Sequence, residues 1–165
     1  MTRKTRIRAA LVTATAVVTA ATVSVGVSSA GSEKPSKPSK KQIAALFDGW
    51  NAALQTRDPK TVADRYAKDA VLLPTLSNKV RTDRAGIVDY MEHFLHNKPV
   101  GKKIETHINV LDGNSALDSG VYQFTLTDPA TGKKNVVQAR YTYEYEKRGG
   151  KWLIVNHHSS AMPES

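Results

Sequence analysis

Residues 138–145, QARYTYEY, and residues 148–163, RGGKWLIVNHHSSAMP, decide the fold. In the first run the residues alternate as they do in a half-buried strand, so Ala139, Tyr141, Tyr143 and Tyr145 share one face while Arg140, Thr142 and Glu144 share the other. Gly149-Gly150 is a hairpin signal, and Trp152 to Ser160 is the returning strand. Its adjacent histidines, His157 and His158, point to opposite faces. A three-residue loop sets Lys147 against Lys151 and Arg140 against His158; a two-residue Gly-Gly turn sets Arg148 against Lys151 and Tyr141 against His158. Both registers stay open, and in either one histidine shares the face of Arg140.

Working outward, Ile104, Thr106, Ile108 and Val110 alternate as a strand ended by Asp112-Gly113-Asn114. Ala116 to Thr127 is a second strand and Val136 to Glu146 a third, so the C-terminal half is a four-strand antiparallel meander. Further upstream the period changes. Ile43, Leu46, Phe47, Trp50 and Leu54 lie on one face of a helix from Gln42, and Asp58-Pro59 caps a short second helix with Val62, Ala63 and Tyr66 on its buried side. Val71-Leu72-Leu73 is a short strand closed by Pro74, and Asp83 to Asn97 is a third helix with Pro99 beyond it. Segregated helices and strands predict an α+β fold in which three N-terminal helices cover one face of a curved antiparallel sheet.

Charge narrows the function classes. The formal net charge of +9 would suggest a nucleic-acid partner, but +4 falls in residues 1–30 and +3 in residues 31–41, leaving +2 for residues 42–165. No nucleic-acid surface is therefore expected. Arg3, Lys4, Arg6 and Arg8 precede an uncharged stretch from Ala9 to Val27, and Ser28-Ser29-Ala30 supplies small residues for cleavage. Residues 1–30 read as a signal peptide, with an uncleaved membrane anchor as the alternative, and the expected mature protein is secreted. Residues 31–41, GSEKPSKPSKK, read as a solvated linker whose charge either serves only as a spacer or contacts an anionic cell surface. The domain is then residues 42–165. With no cysteine in the chain, thiol catalysis and thiolate metal sites are absent and the core alone must hold an exported fold.

The order of long helix, Asp-Pro break, VLLPT (71–75), RTDRAGIVDYMEHFL (81–95), NKPVGKKIETHI (97–108) and RGGKWLIVNHHSSAMP resembles the NTF2-like cone-shaped α+β superfamily, including its SnoaL-like group. The match is closest to the association (hub) domain of calcium/calmodulin-dependent protein kinase II and its free-standing bacterial relatives, over Lys41 to Pro163. The resemblance implies a pocket between the concave sheet and the helices, used for ligand binding or for isomerase-, cyclase- or hydratase-type catalysis, or else filled in a purely structural dimerisation domain, and a homodimer formed through the outer sheet face. No Gly-rich nucleotide loop or other kinase motif is present, and Gly149-Gly150 lies in a hairpin and forms no phosphate loop.

The candidate ligand site joins Arg140 and His158, a forked cation and an imidazole suited to a small anion, to a wall of Trp50, Tyr66 and Tyr90. The competing reading pairs Arg140 with Glu144 or Glu146 and leaves His158 as a core residue. For acid–base chemistry the carboxylates on offer are Asp118 and Glu144 on strands and Asp48 and Asp69 on helices, with none singled out. His93 and His96 are three apart on a helix but lack a third ligand, so neither metal nor cofactor is expected. A homodimer, or a larger ring, is expected because an outer face rich in Tyr, Val and Trp would be too apolar for a monomer.

Overall fold

The computed structural model describes residues 36–164, so the expected signal peptide lies outside the described residues, as does the expected linker up to residue 35. The elements are α1 (Lys40–Gln55), α2 (Pro59–Ala63), β1 (Tyr66–Leu73), α3 (Arg84–Leu95), β2 (Val100–Val110), β3 (Ser115–Thr127), β4 (Lys134–Arg148) and β5 (Lys151–Ala161). α1 starts two residues before the expected boundary because Ser39 and Gln42 form a capping box: the Gln42 N–H donates to Ser39 Oγ at 3.2 Å, and the Ser39 N–H donates to Gln42 Oε1 at 2.8 Å. Asp58 and Asp83 cap α2 and α3 more simply, each accepting first-turn backbone N–H groups with its carboxylate. Tyr66 does not belong to α2; it opens β1.

Three helices lie against a curved five-stranded sheet of order β1-β5-β4-β3-β2. Four of the strands form the expected antiparallel meander, and β1 adds to the β5 edge in parallel. The strand before α3 is thus part of the main sheet. It closes the cone's edge beside β5.

Alternation along β4 decides which face turns inward. Each tyrosine brings a large apolar ring, so Tyr141, Tyr143 and Tyr145 bury together under α1, with Tyr143 fully inaccessible. Phe47 and Trp50 of α1 meet the Tyr143 ring edge-on, with centroids 6.4 and 5.9 Å away. The outer face therefore carries Arg140, Thr142 and Glu144. The expectation of a Tyr- and Trp-rich outer face is corrected: its apolar members are aliphatic, among them Val100, Val121 and Val136, mixed with charged residues.

Two single-residue insertions bend the sheet. In β2 the pairing shifts between Lys103 and Glu105, and the extra residue Ile104 turns outward, about half exposed, instead of joining Thr106 and Ile108 on the inner face. The partner strand must come close there, and a Cβ at Gly120 would stand 2.0 Å from the Glu105 carbonyl oxygen. In β5 the shift falls opposite Glu144 and Tyr145, with Val155 as the extra residue. Asn51 of α1 fixes the start of β2 by bonding both backbone groups of Gly101, at 2.8 and 2.9 Å.

One ion pair is buried beneath α1. Asp118 is wholly inaccessible; it accepts from Lys103 Nζ at 2.8 Å and from the Tyr141 hydroxyl at 2.9 Å. Removing only the lysine strands a carboxylate in the core. Lys103→Met should therefore cost on the order of 3–5 kcal/mol in denaturant unfolding, and adding Asp118→Leu should recover most of that loss. Equal stabilities for the single variant and wild type would show that the pair is not compensated as described.

Candidate functional site

The inner face of the sheet is filled by aromatic side chains at the α1 end. Toward α3 it opens into a cavity of about 610 Å³. Trp50 of α1, Tyr90, Met91 and Phe94 of α3, Tyr122 and Phe124 of β3, and His157 and Ser159 of β5 line it, and Thr75, Leu76 and Met162 stand among its wall residues. The stacked pair Tyr90 and Phe94, with centroids 5.9 Å apart, forms an aromatic flank on α3. Burial pushes the Tyr90 phenol up to about 12, so it stays protonated.

His157 enters because of the Val155 bulge. The turn is the two-residue Gly-Gly form, with Gly149 and Gly150 both at positive φ and Arg148 opposite Lys151. Beyond the bulge the register moves by one, placing His157 opposite Tyr143 and His158 opposite Thr142, which neither simple register anticipated. His157 is buried and stacks on Tyr143 at 4.1 Å, while Trp50 meets its ring edge-on at 5.6 Å.

A chain of polar groups crosses this wall. Trp50 Nε1–H donates to the Tyr66 hydroxyl oxygen at 3.0 Å, and Tyr66 lies 2.9 Å from His157 Nδ1. His157 Nε2 is 3.4 Å from the Tyr122 hydroxyl, which donates to Ser159 Oγ at 2.6 Å, and Ser159 Oγ is 2.5 Å from Thr75 Oγ1. An indole N–H can only donate, so the Tyr66 hydrogen turns to His157 Nδ1 and the imidazole hydrogen sits on Nε2. Burial, with a smaller contribution from neighbouring His158, pulls the His157 pKa down to about 3, so the ring is neutral near pH 7.

The sequence-derived site divides. Trp50 and Tyr90 line the cavity, and Tyr66 stands behind its wall, holding His157. Arg140 and His158 do share one face, but it is the outer one, where both are exposed, so the expected anion site inside the cone is corrected. Among the described residues Arg140 forms no ion pair with Glu144 or Glu146 either; Glu146 pairs with Arg148. Asp48 and Asp69 are exposed, Asp69 lies on β1 and not on a helix, and Asp118 belongs to the buried pair. Among the described residues the cavity wall holds no lysine or arginine, and its one charged member is Glu164. Among the described residues no three His, Cys, Asp or Glu side chains converge as metal ligands. Ser159 and Thr75 were missed; the signal available was their position flanking His157 and following Pro74, next to residues that were considered.

A neutral buried histidine links stability to pH. The unfolded chain takes up a proton near 6.5 and the native ring only near 3, so the stability present above pH 6.5 is lost as pH falls through that window, by roughly 1.4 kcal/mol per unit. Urea unfolding between pH 7.5 and 4.5 should show this slope, flattened in His157→Gln. An unchanged slope in the variant would place the proton uptake elsewhere.

The comparisons with known proteins agree with this geometry. The chain matches the calcium/calmodulin dependent protein kinase II association domain family over residues 39–163. A structure from Xanthomonas campestris, named for that association domain, is 57% identical, covering 79% of this chain and 96% of its own, with a TM-score of 0.75. The association domain of the C. elegans kinase superposes with a TM-score of 0.61 at 13% identity, over 74% of this chain and 95% of that one. An NTF2-like protein of unknown function from Pseudomonas putida gives 0.62 at 20% identity, over 74% and 85%. The last two likenesses show the fold alone. No curated protein matches the chain. With the family match spanning most of the sequence and the cone observed, the chain belongs to the calcium/calmodulin-dependent protein kinase II association domain family, on an NTF2-like fold.

Proposed function

We propose that this protein is exported, associates with itself as a homodimer, and holds a neutral, largely apolar small molecule in its cone. The observation that carries the reading is the open cavity of about 610 Å³, mostly apolar, with one connected polar cluster in its wall and Gln138 and Glu164 also among the residues that line it. That is the make-up of a ligand site, in which apolar walls supply affinity and a few placed polar groups supply orientation. The lack of a basic side chain among the described wall residues turns the reading from an anion to a neutral ligand.

An isomerase or dehydratase reading would need a carboxylate beside the imidazole in the apolar wall. The groups that bond to or stack on His157 are instead phenols and an indole, and Glu164, the carboxylate among the described wall residues, forms no hydrogen bond or ion pair with it. Binding is therefore the better-supported function. Export rests on the basic start and small-residue cleavage pattern of residues 1–30, with the Lys-rich stretch after it as a spacer. Self-association is supported by membership in a family of association domains and by the aliphatic patch on the outer face. Val100 and Val136, about half exposed, flank Thr125 across three strands, and Val121 lies on the same face.

Native mass spectrometry of the protein purified from its own host tests both parts at once. The expected spectrum is a dimer mass carrying a retained neutral molecule, and Val121→Glu/Val136→Glu should reduce it to a monomer without loss of secondary structure. A monomer in the wild type would overturn the assembly. A dimer without adduct, unable to take up apolar compounds, would overturn the ligand.

A further inference from the structure

The polar chain in the cavity wall has a direction, and its far end decides what the cavity recognises. Six groups take part: the Trp50 indole, the Tyr66 phenol, the His157 imidazole, the Tyr122 phenol and the hydroxyls of Ser159 and Thr75. Each carries one hydrogen, and the five contacts between neighbours use five of them.

Trp50 fixes the order. Its N–H occupies the Tyr66 oxygen, so Tyr66 gives its hydrogen to His157 Nδ1. The remaining imidazole hydrogen, on Nε2, points to the Tyr122 oxygen, and Tyr122 gives its own hydrogen to Ser159. Ser159 and Thr75 share a single hydrogen bond. Whichever of the two donates, the other keeps a hydroxyl hydrogen with no partner among the described residues, and both residues line the cavity. The reverse order would leave a buried phenol hydrogen at Tyr66 unbonded, which costs free energy.

Building on the neutral-ligand reading above, we infer that the cavity selects molecules that present a hydrogen-bond acceptor, such as a ketone or ester carbonyl, to the Ser159–Thr75 hydroxyl pair, with the apolar body against Trp50, Tyr90 and Phe94. Carboxylates are excluded. Among the described residues the wall offers them no cation, and a single neutral donor does not repay the desolvation of a buried anion. The imidazole stays neutral throughout and serves as a positioning link that passes on the direction set by Trp50.

Three probes of similar size separate the possibilities: acetophenone, which has the acceptor; ethylbenzene, which lacks it; and benzoate, which is charged. In titrations of the full mature chain followed by the Trp50 indole NMR signal, acetophenone should bind about tenfold more tightly than ethylbenzene, the worth of one well-made neutral hydrogen bond. Benzoate should bind more weakly than either. The infrared carbonyl stretch of bound acetophenone should lie below its value in an alkane, a measurement on the wild type that needs no variant. Tyr122→Phe/Ser159→Ala/Thr75→Val should retain ethylbenzene, lose the preference for acetophenone and return the stretch toward the alkane value. Equal wild-type affinity for acetophenone and ethylbenzene, with both shifting the Trp50 signal, would overturn the donor inference and leave the cavity reading standing. Tightest binding by benzoate would overturn the neutral selection. Failure of all three to bind would overturn the cavity reading itself.

Discussion

One extra residue, Val155 in β5, governs the site. Without it the Gly149-Gly150 hairpin would continue in register and bring Tyr141 opposite His158; with it, His157 lies opposite Tyr143 and turns inward. The β5 side of the cavity wall follows from that shift. His157 reaches Tyr66 and Tyr122, Ser159 falls two residues further along the same face beside Thr75, and His158 goes to the outer surface with Arg140.

The rest of the cone keeps this wall in place. The tyrosine column of β4 fills the inner face under α1, so the imidazole stacks on a packed ring at Tyr143 and its orientation is set by contact as well as by hydrogen bonds. Asn51 holds the beginning of β2 to α1, and the Ile104 bulge with its facing Gly120 curves the sheet around the helices. The buried Lys103–Asp118 pair is separate from the cavity, and its hydrogen bond to Tyr141 ties the ion pair to the aromatic column. The scaffold and the cavity thus share one aromatic face. Its filled part is the aromatic core and its open part is the cavity of the proposed site.

Much of this was legible in the sequence. Asp58-Pro59 and Asp83 mark helix starts because a carboxylate there accepts the free N–H groups of the first turn, and Gly149-Gly150 marks the hairpin because both residues need positive φ. The alternation in 138–145 also placed the three tyrosines together. The assignment of Arg140 to the concave face went against the physics already in that stretch: three aromatic rings gain more by burial than an arginine, a threonine and a glutamate do, so the tyrosines claim the inside. The bulges were not legible. Ile104 and Val155 are β-branched residues with the same strand preference as their neighbours, and only the pairing partner reveals that one of them is extra. Tyr66 was misplaced for a related reason, since its helical spacing from Val62 is also compatible with a strand that begins directly after the helix.

The central claim is that a donor-only indole imposes one direction on the polar chain and so fixes which nitrogen of His157 carries the hydrogen. The direct measurement is the nitrogen-15 NMR spectrum of the histidine side chains in the full chain at pH 7 and pH 5. The account predicts that His157 shows a bare Nδ1 and a protonated Nε2 at both values. A hydrogen on Nδ1, or protonation of the ring between the two pH values, would contradict it.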